Sequence, residues 1–133
     1  MREKRILVVD DEDAIRDIFE LALTNAGYVV RSAETAEKAM EILKEESLMV
    51  IFLDLNLPGI NGMEMCKIIR RDNPVGIIYA VTGYIDLFGL LECRKVGFDD
   101  IIAKPVKLEI LLKAAEDAFE KIERWQLSEY DLT

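Results

Sequence analysis

The apolar positions of this chain follow two alternating rhythms. Short, almost continuous runs rich in β-branched residues appear at Ile6-Leu7-Val8-Val9, Tyr28-Val29-Val30, Met49-Val50-Ile51-Phe52-Leu53, Ile77-Ile78-Tyr79-Ala80-Val81 and Ile101-Ile102. Runs of that length without polar alternation predict strands buried on both faces, as in a parallel sheet. Between them, apolar residues recur at three- and four-residue spacing: Ile15, Ile18, Phe19 and Ala22, then Ala36, Ala39, Met40 and Leu43, and later Leu111, Ala114, Ala115, Ala118 and Ile122. Such spacing lays one apolar stripe along a helix. The predicted order is strand 5–10, helix 13–25, strand 28–31, helix 35–46, strand 49–54, helix 63–71, strand 76–82, helix 86–95, strand 99–103 and helix 107–124. Gly89 weakens the fourth helix by roughly 1 kcal/mol against alanine. Five alternations joined by short turns make an α/β chain, a doubly wound parallel sheet with helices on both faces. Residues 1–124 are expected to form one domain, and the polar segment 125–133 a fraying tail or the start of a linker.

Composition narrows the function. Hydrophobic residues make up 51% and charged residues 32% of 133 positions, which excludes disorder as the main state and suffices for a core without metal or disulfide staples. Seventeen basic against 26 acidic residues leave a net charge of −9. That field disfavours nucleic acid and anionic membrane surfaces as partners. The chain has no histidine, which removes Ser-His-Asp and Cys-His catalysis, histidine-ligated zinc and any phosphohistidine on this chain. Cys66 and Cys93 match no metal or redox spacing and read as reduced, buried thiols. No apolar stretch reaches membrane-spanning length, and the first is too short for a signal peptide. A soluble, cytoplasmic protein is expected.

The polar residues that remain cluster where the predicted strands end. Strand one runs into Asp10-Asp11, strand three ends in Asp54, strand four in Thr82 and strand five in Lys104. Ligands of open parallel sheets bind beyond those carboxyl ends. Three carboxylates gathered there repel one another and call for a cation. A few hard oxygen ligands suit Mg²⁺, which also favours a phosphoryl oxygen. Lys104 would stabilise negative charge on a transferred phosphoryl group, Thr82 could donate to one of its oxygens, and one carboxylate could serve as nucleophile. Taken singly, each residue has a plainer explanation. The acidic run could cap a helix N-terminus, Asp54 could open a turn, Thr82 could be an ordinary strand-end hydroxyl, and Lys104-Pro105 could begin a helix. Their joint occurrence, each at a strand end, is what the plainer explanations leave out.

With these residues in place the chain resembles the receiver domain of bacterial two-component response regulators. The resemblance covers Ile6 to about Arg124 and rests on Ile6-Leu7-Val8-Val9-Asp10-Asp11-Glu12, Asp54-Leu55-Asn56-Leu57-Pro58-Gly59 with Asn61-Gly62-Met63, Thr82-Gly83, and Gly97-Phe98-Asp99-Asp100 leading to Lys104-Pro105. It implies a flavodoxin-like sheet of five parallel strands in order 2-1-3-4-5 with five helices. It implies Asp54 as phosphoacceptor and Mg²⁺ held by Asp10, Asp11, Asp54 and the backbone carbonyl of Asn56. Lys104 would pair with the phosphoryl oxygens, Thr82 would turn toward them, and the Lys104-Pro105 bond would be cis. The donor would be a sensor histidine kinase or phosphotransfer protein, in keeping with the missing histidine. The output would be a downstream protein met by the face of helix four, strand five and helix five, with the receiver a monomer or a phosphorylation-dependent dimer. Such a domain is no enzyme beyond its own phosphorylation and dephosphorylation. The fourth helix would be the low-stability element that shifts.

One departure stands out. Many receivers carry a mobile aromatic residue three positions before the lysine, where this chain has Ile101. Phe98 and Tyr84 are the nearby candidates to replace it, and Asn56 and Tyr84 flank the site. The departure keeps open a receiver-like binding module that works without phosphorylation. An Asp-nucleophile phosphatase is disfavoured by Asn56 where that class has a second Asp, and a flavodoxin-like electron carrier by the lack of a phosphate-cradling loop after strand one.

Overall fold

The computed structural model describes residues 3–73 and 76–131, with side chains as far as Gln126. Its strands are β1 (Arg5–Val9), β2 (Val29–Ala33), β3 (Val50–Asp54), β4 (Ile77–Thr82) and β5 (Asp100–Ala103). The helices are α1 (Asp13–Asn25), α2 (Ala36–Glu45), α3 (Gly62–Asp72), α4 (Leu87–Val96) and α5 (Leu108–Asp131). All pairings are parallel, in the order β2-β1-β3-β4-β5. The order and the ten elements match expectation. β2 runs two residues past the predicted Arg31, because Ser32 and Ala33 pair with Val8 and Val9 of β1.

Strand alternation sorts the core into two layers. Ile6, Val8, Val50, Phe52, Ile77, Tyr79, Val81 and Ile102 face α1 and α5, against Phe19, Leu23, Leu111 and Phe119. The intervening residues Leu7, Val9, Ile51, Leu53, Ile78 and Ala80 face the other way, against Ala36 and Ala39 of α2, Met65, Cys66 and Ile69 of α3, and Cys93 of α4. The central strands β3 and β4 are buried along their whole length, which explains their uninterrupted apolar runs. Phe52 stacks on Tyr79 with ring centroids 5.1 Å apart, and the Tyr79 hydroxyl donates to the Ala114 carbonyl at 2.7 Å, tying α5 to the sheet.

Helix ends follow local chemistry. Thr35, Asn61 and Asp86 cap α2, α3 and α4, each accepting from the backbone N–H three residues on. The last helix runs past its predicted end at 124: α5 continues through Asp131. Nothing between Arg124 and Asp131 is Gly or Pro, so the helix has no stop signal even where its apolar stripe ends. Residues 132 and 133 lie outside the described residues. Among the described residues no helix is long and apolar enough to cross a membrane.

Candidate functional site at the carboxyl edge of the sheet

The same alternation that builds the core builds the site. Asp10 follows Ile6 and Val8 in phase, Asp54 follows Val50 and Phe52, and Lys104 follows Ile102, so all three belong to the α1–α5 side of the sheet edge. Register brings them level, since Val9 pairs with Leu53 and Thr82 with Ala103. The Lys104 Nζ lies 3.1 Å from Asp10 Oδ2 and 3.2 Å from Asp54 Oδ2. Asp10 is 3% exposed and Asp54 2%, so two buried carboxylates are bridged by one half-buried ammonium. Each carboxylate is also steered by its own loop. Asp10 Oδ1 accepts from the Glu12 N–H and Asp54 Oδ1 from the Asn56 N–H, both at 2.9 Å.

The acidic run does not cap α1. Glu12 occupies the N-cap position without a side-chain cap bond. Its N–H is bound instead by Asp10, and the Asp10 carbonyl accepts from Arg16 at 2.6 Å. The simple capping explanation therefore fails, and the carboxylates of Asp10, Asp11 and Glu12 gather within 4.8 Å of one another, with Asp11 and Glu12 open to solvent. Glu12 and Arg16 had no assigned role from sequence. Arg16, which also pairs with Asp13, is a basic residue set among acids one turn into the helix.

Electrostatics show a site short of positive charge. Burial pushes the Asp10 carboxyl above its ordinary range, the Asp54 field adds to the rise, and the Glu12 N–H and Lys104 only partly offset it. For Lys104, burial alone would depress the ammonium, but Asp10 and Asp54 outweigh burial and hold it above its usual value. A second cation would relieve the excess. The donor set is entirely hard oxygen, adjoins solvent at Asp11 and fits Mg²⁺ better than a softer metal.

Thr82 sits apart in phase, with Ile78 and Ala80 on the α3–α4 side. It is buried, and its hydroxyl donates to the Tyr84 carbonyl at 3.0 Å, while its own carbonyl accepts the Lys104 N–H at 2.8 Å. A hollow of about 370 Å³ opens beside it, lined in part by Asn56, Met63, Tyr84 and Ile85. Of the residues considered for the missing aromatic, Phe98 is closed into the α2–α4 core and Tyr84 is 81% exposed. Ile101 packs against that same core. The Lys104-Pro105 bond is cis.

Gly62 is a further residue the site depends on. A Cβ there would stand 2.5 Å from the Asp54 carbonyl oxygen and 2.8 Å from the Leu55 Cα. The first turn of α3 thus rests directly on the backbone carrying Asp54, and its N–H donates to the Leu55 carbonyl at 3.2 Å. The sequence signal was Asn61-Gly62, which reads as a turn and hides the close approach.

The model of the response regulator receiver domain matches residues 6–116 of this chain. The transcriptional regulatory protein AfsQ1 of Streptomyces coelicolor is 39% identical over 106 residues, which is 80% of this chain and 47% of that protein. A cyclic di-GMP phosphodiesterase of Thermotoga maritima is 38% identical over 106 residues, 80% of this chain and 28% of that protein. The structure of a CheY-like receiver domain protein from Methanospirillum hungatei JF-1 superposes with a TM-score of 0.89 at 31% identity, covering 92% of this chain and 98% of that one. The chain spans less than half the length of these curated relatives.

Proposed function

The chain belongs to the response regulator receiver family, and from that premise we propose that it takes up a phosphoryl group on Asp54 and switches conformation in response. The observation that carries this reading is the pair of buried carboxylates, Asp10 and Asp54, bridged by Lys104 at 3.1 and 3.2 Å. An Asp54 oxygen attacks phosphorus, the bond from phosphorus to the donor imidazole breaks, and the imidazole, protonated on its other nitrogen, leaves neutral. The donor in this reading is a sensor histidine kinase or phosphotransfer protein, in keeping with the lack of histidine in this sequence. Asp10, Asp11, Asp54 and the Asn56 carbonyl would hold Mg²⁺, which supplies charge neutralisation to the phosphoryl oxygens.

The protein's own part is positioning. The Asn56 N–H fixes one Asp54 oxygen, and Lys104, kept charged by Asp10, stands ready for the new phosphoryl oxygens. The Thr82 hydroxyl turns to another of them. The resulting change is read by a downstream protein at α4, β5 and α5, either in solution or in a longer chain of which this domain is the receiver. Turnover is limited to loss of that phosphoryl group to water, so the role is signalling.

The test is intact mass after incubation with Mg²⁺ and acetyl phosphate, beside Asp54→Asn. One added phosphoryl group, absent when Mg²⁺ is chelated from the start and absent in the variant, is expected. A folded, unmodified chain would refute the reading and leave the phosphorylation-independent module that Ile101 suggests.

A further inference from the structure

α4 is held very differently at its two ends. At its C-terminus, Arg70 of α3 donates from Nε to the Gly97 carbonyl at 2.7 Å and from a terminal nitrogen to Asp99 Oδ2 at 2.6 Å. The same Asp99 oxygen accepts the Ile78 N–H of β4 at 2.7 Å. The arginine stem fills the space beside Gly97, where a Cβ would meet Arg70 Cγ at 2.8 Å. Gly97 is left-handed at φ 109° and closes the helix. One turn earlier, Cys93, the one buried residue of α4, lies against the Met63 sulfur at 3.9 Å.

The N-terminal end is open. Leu87 and Phe88 are 72% and 71% exposed. This end is held to the preceding loop by its cap and by one apolar contact. The Leu90 N–H donates to the Asp86 carbonyl at 3.0 Å. Asp86 accepts the Gly89 N–H at 2.7 Å. Ile85 lies in a notch over Gly89, where a Cβ would stand 2.6 Å from Ile85 Cγ1. Ile85 follows Tyr84, whose carbonyl is the acceptor of the Thr82 hydroxyl.

Resting on the phosphoacceptor reading, we propose that α4 is a lever hinged at the Arg70–Gly97–Asp99 clasp and latched at its other end by Ile85 in the Gly89 notch. Ile85, a positioning residue, then carries the movement of Thr82 into α4 in place of an aromatic side chain at position 101. A hydroxyl has one proton to donate. Thr82 cannot serve a phosphoryl oxygen and the Tyr84 carbonyl together, and turning the side chain also lifts Oγ1 away from the Tyr84 N–H that it accepts at 3.4 Å, so phosphorylation removes the tie on the 83–86 loop. Ile85 leaves the notch and the first turns of α4 loosen. The clasp shares no group with the phosphoryl site and stays closed. Ile101, packed on the α2–α4 core, has no ring to swing into the space Thr82 vacates.

The test is amide hydrogen exchange, read by peptide mass, on the full chain with and without acetyl phosphate and Mg²⁺. Phosphorylation is expected to speed exchange over residues 84–91 on the order of tenfold, with residues 93–98 unchanged. Without any phosphodonor, Ile85→Ala should reproduce the first effect, and Arg70→Met should speed exchange over 93–98 instead. Arg70→Lys, which keeps the stem and one donor, serves if Arg70→Met does not fold. A chain whose mass shows the phosphoryl group but whose exchange rises equally at both ends, only at 93–98, or nowhere would overturn the lever. So would an Ile85→Ala chain that exchanges over 84–91 like the parent. A chain that gains no phosphoryl mass would sink the phosphoacceptor reading instead, while the two variants still report on latch and hinge.

Discussion

Replacing Asp10 with asparagine should make the metal-free protein more stable while removing its response to Mg²⁺. The substitution is nearly isosteric, and its amide oxygen can still accept the Glu12 N–H that lies 2.9 Å from Oδ1. What changes is charge. Asp10, Asp54 and Lys104 together carry two negative charges and one positive, and the variant leaves a balanced pair at 3.2 Å. The raised Asp10 pKa gives the sign. Between the ordinary value of 3.8 and the higher folded value, the folded state keeps a proton that the unfolded state releases. Stability therefore falls as pH rises through that window, and above it the ionised Asp10 is a standing cost. Asparagine removes that cost, a gain on the order of 1 kcal/mol, or a few degrees in Tm for a domain of this size. Mg²⁺ acts oppositely. It binds only the folded parent and stabilises it by about 2.7 kcal/mol at a hundredfold excess over Kd. Thermal unfolding at pH 7 should thus put Asp10→Asn above the parent in chelator and below it in excess Mg²⁺. With falling pH in chelator, the gap should close toward 3.8. A variant less stable than the parent in chelator, or one that keeps the full Mg²⁺ gain, would refute the reasoning.

Other perturbations follow from the same geometry. Gly62→Ala forces a Cβ to within 2.5 Å of the Asp54 carbonyl oxygen, and backbone on both sides leaves little room to relax. It should cost about 2–3 kcal/mol, seen as a lower urea midpoint at unchanged slope, with slower phosphoryl uptake, and an unmoved midpoint would contradict the close approach. Tyr79→Phe should cost about 1 kcal/mol at pH 7 by removing the bond to the Ala114 carbonyl. Burial, with the fields of Asp100, Asp117 and Asp99, pushes the Tyr79 hydroxyl up from 10.0 to about 12. The parent therefore loses about 1.4 kcal/mol per pH step above pH 10, a loss the variant escapes. The two urea curves should cross near pH 11, and parallel curves to that pH would show that the hydroxyl is not buried as described.

Why so much was legible comes down to parity. A parallel strand buried on both faces writes its length in apolar letters, and the first polar letter after it marks the sheet edge. In β1, β3 and β5 that letter also fixes a side, which is why Asp10, Asp54 and Lys104 meet without any local sequence signal linking positions so far apart. Thr82 shows the limit of the same rule. Its position at an edge was readable, but its phase places it on the α3–α4 side, where the hydroxyl engages the Tyr84 carbonyl. The acidic run looked like a helix cap, and only the backbone shows Glu12 in that position with its carboxylate unused for capping.

What stayed hidden were close approaches, either a long side chain reaching past an element or a missing Cβ that makes room for a neighbour. Arg70 reads as one more basic residue in the last turn of α3, suited to the helix dipole. Among its partners are a carbonyl and a carboxylate beyond the next helix, and nothing periodic marks them. Gly89 reads as a defect in α4 by propensity, yet its missing Cβ is the room that Ile85 occupies. Propensity reports what a residue does to its own helix, whereas the value of Gly89 lies in what it lets a neighbour do. The same holds for Gly62 under Asp54. In this fold the chemistry is written at strand ends, where alternation makes it readable. The parts that would transmit it, a notch and a clasp at the two ends of α4, are written as absences and long reaches that only the folded chain brings together.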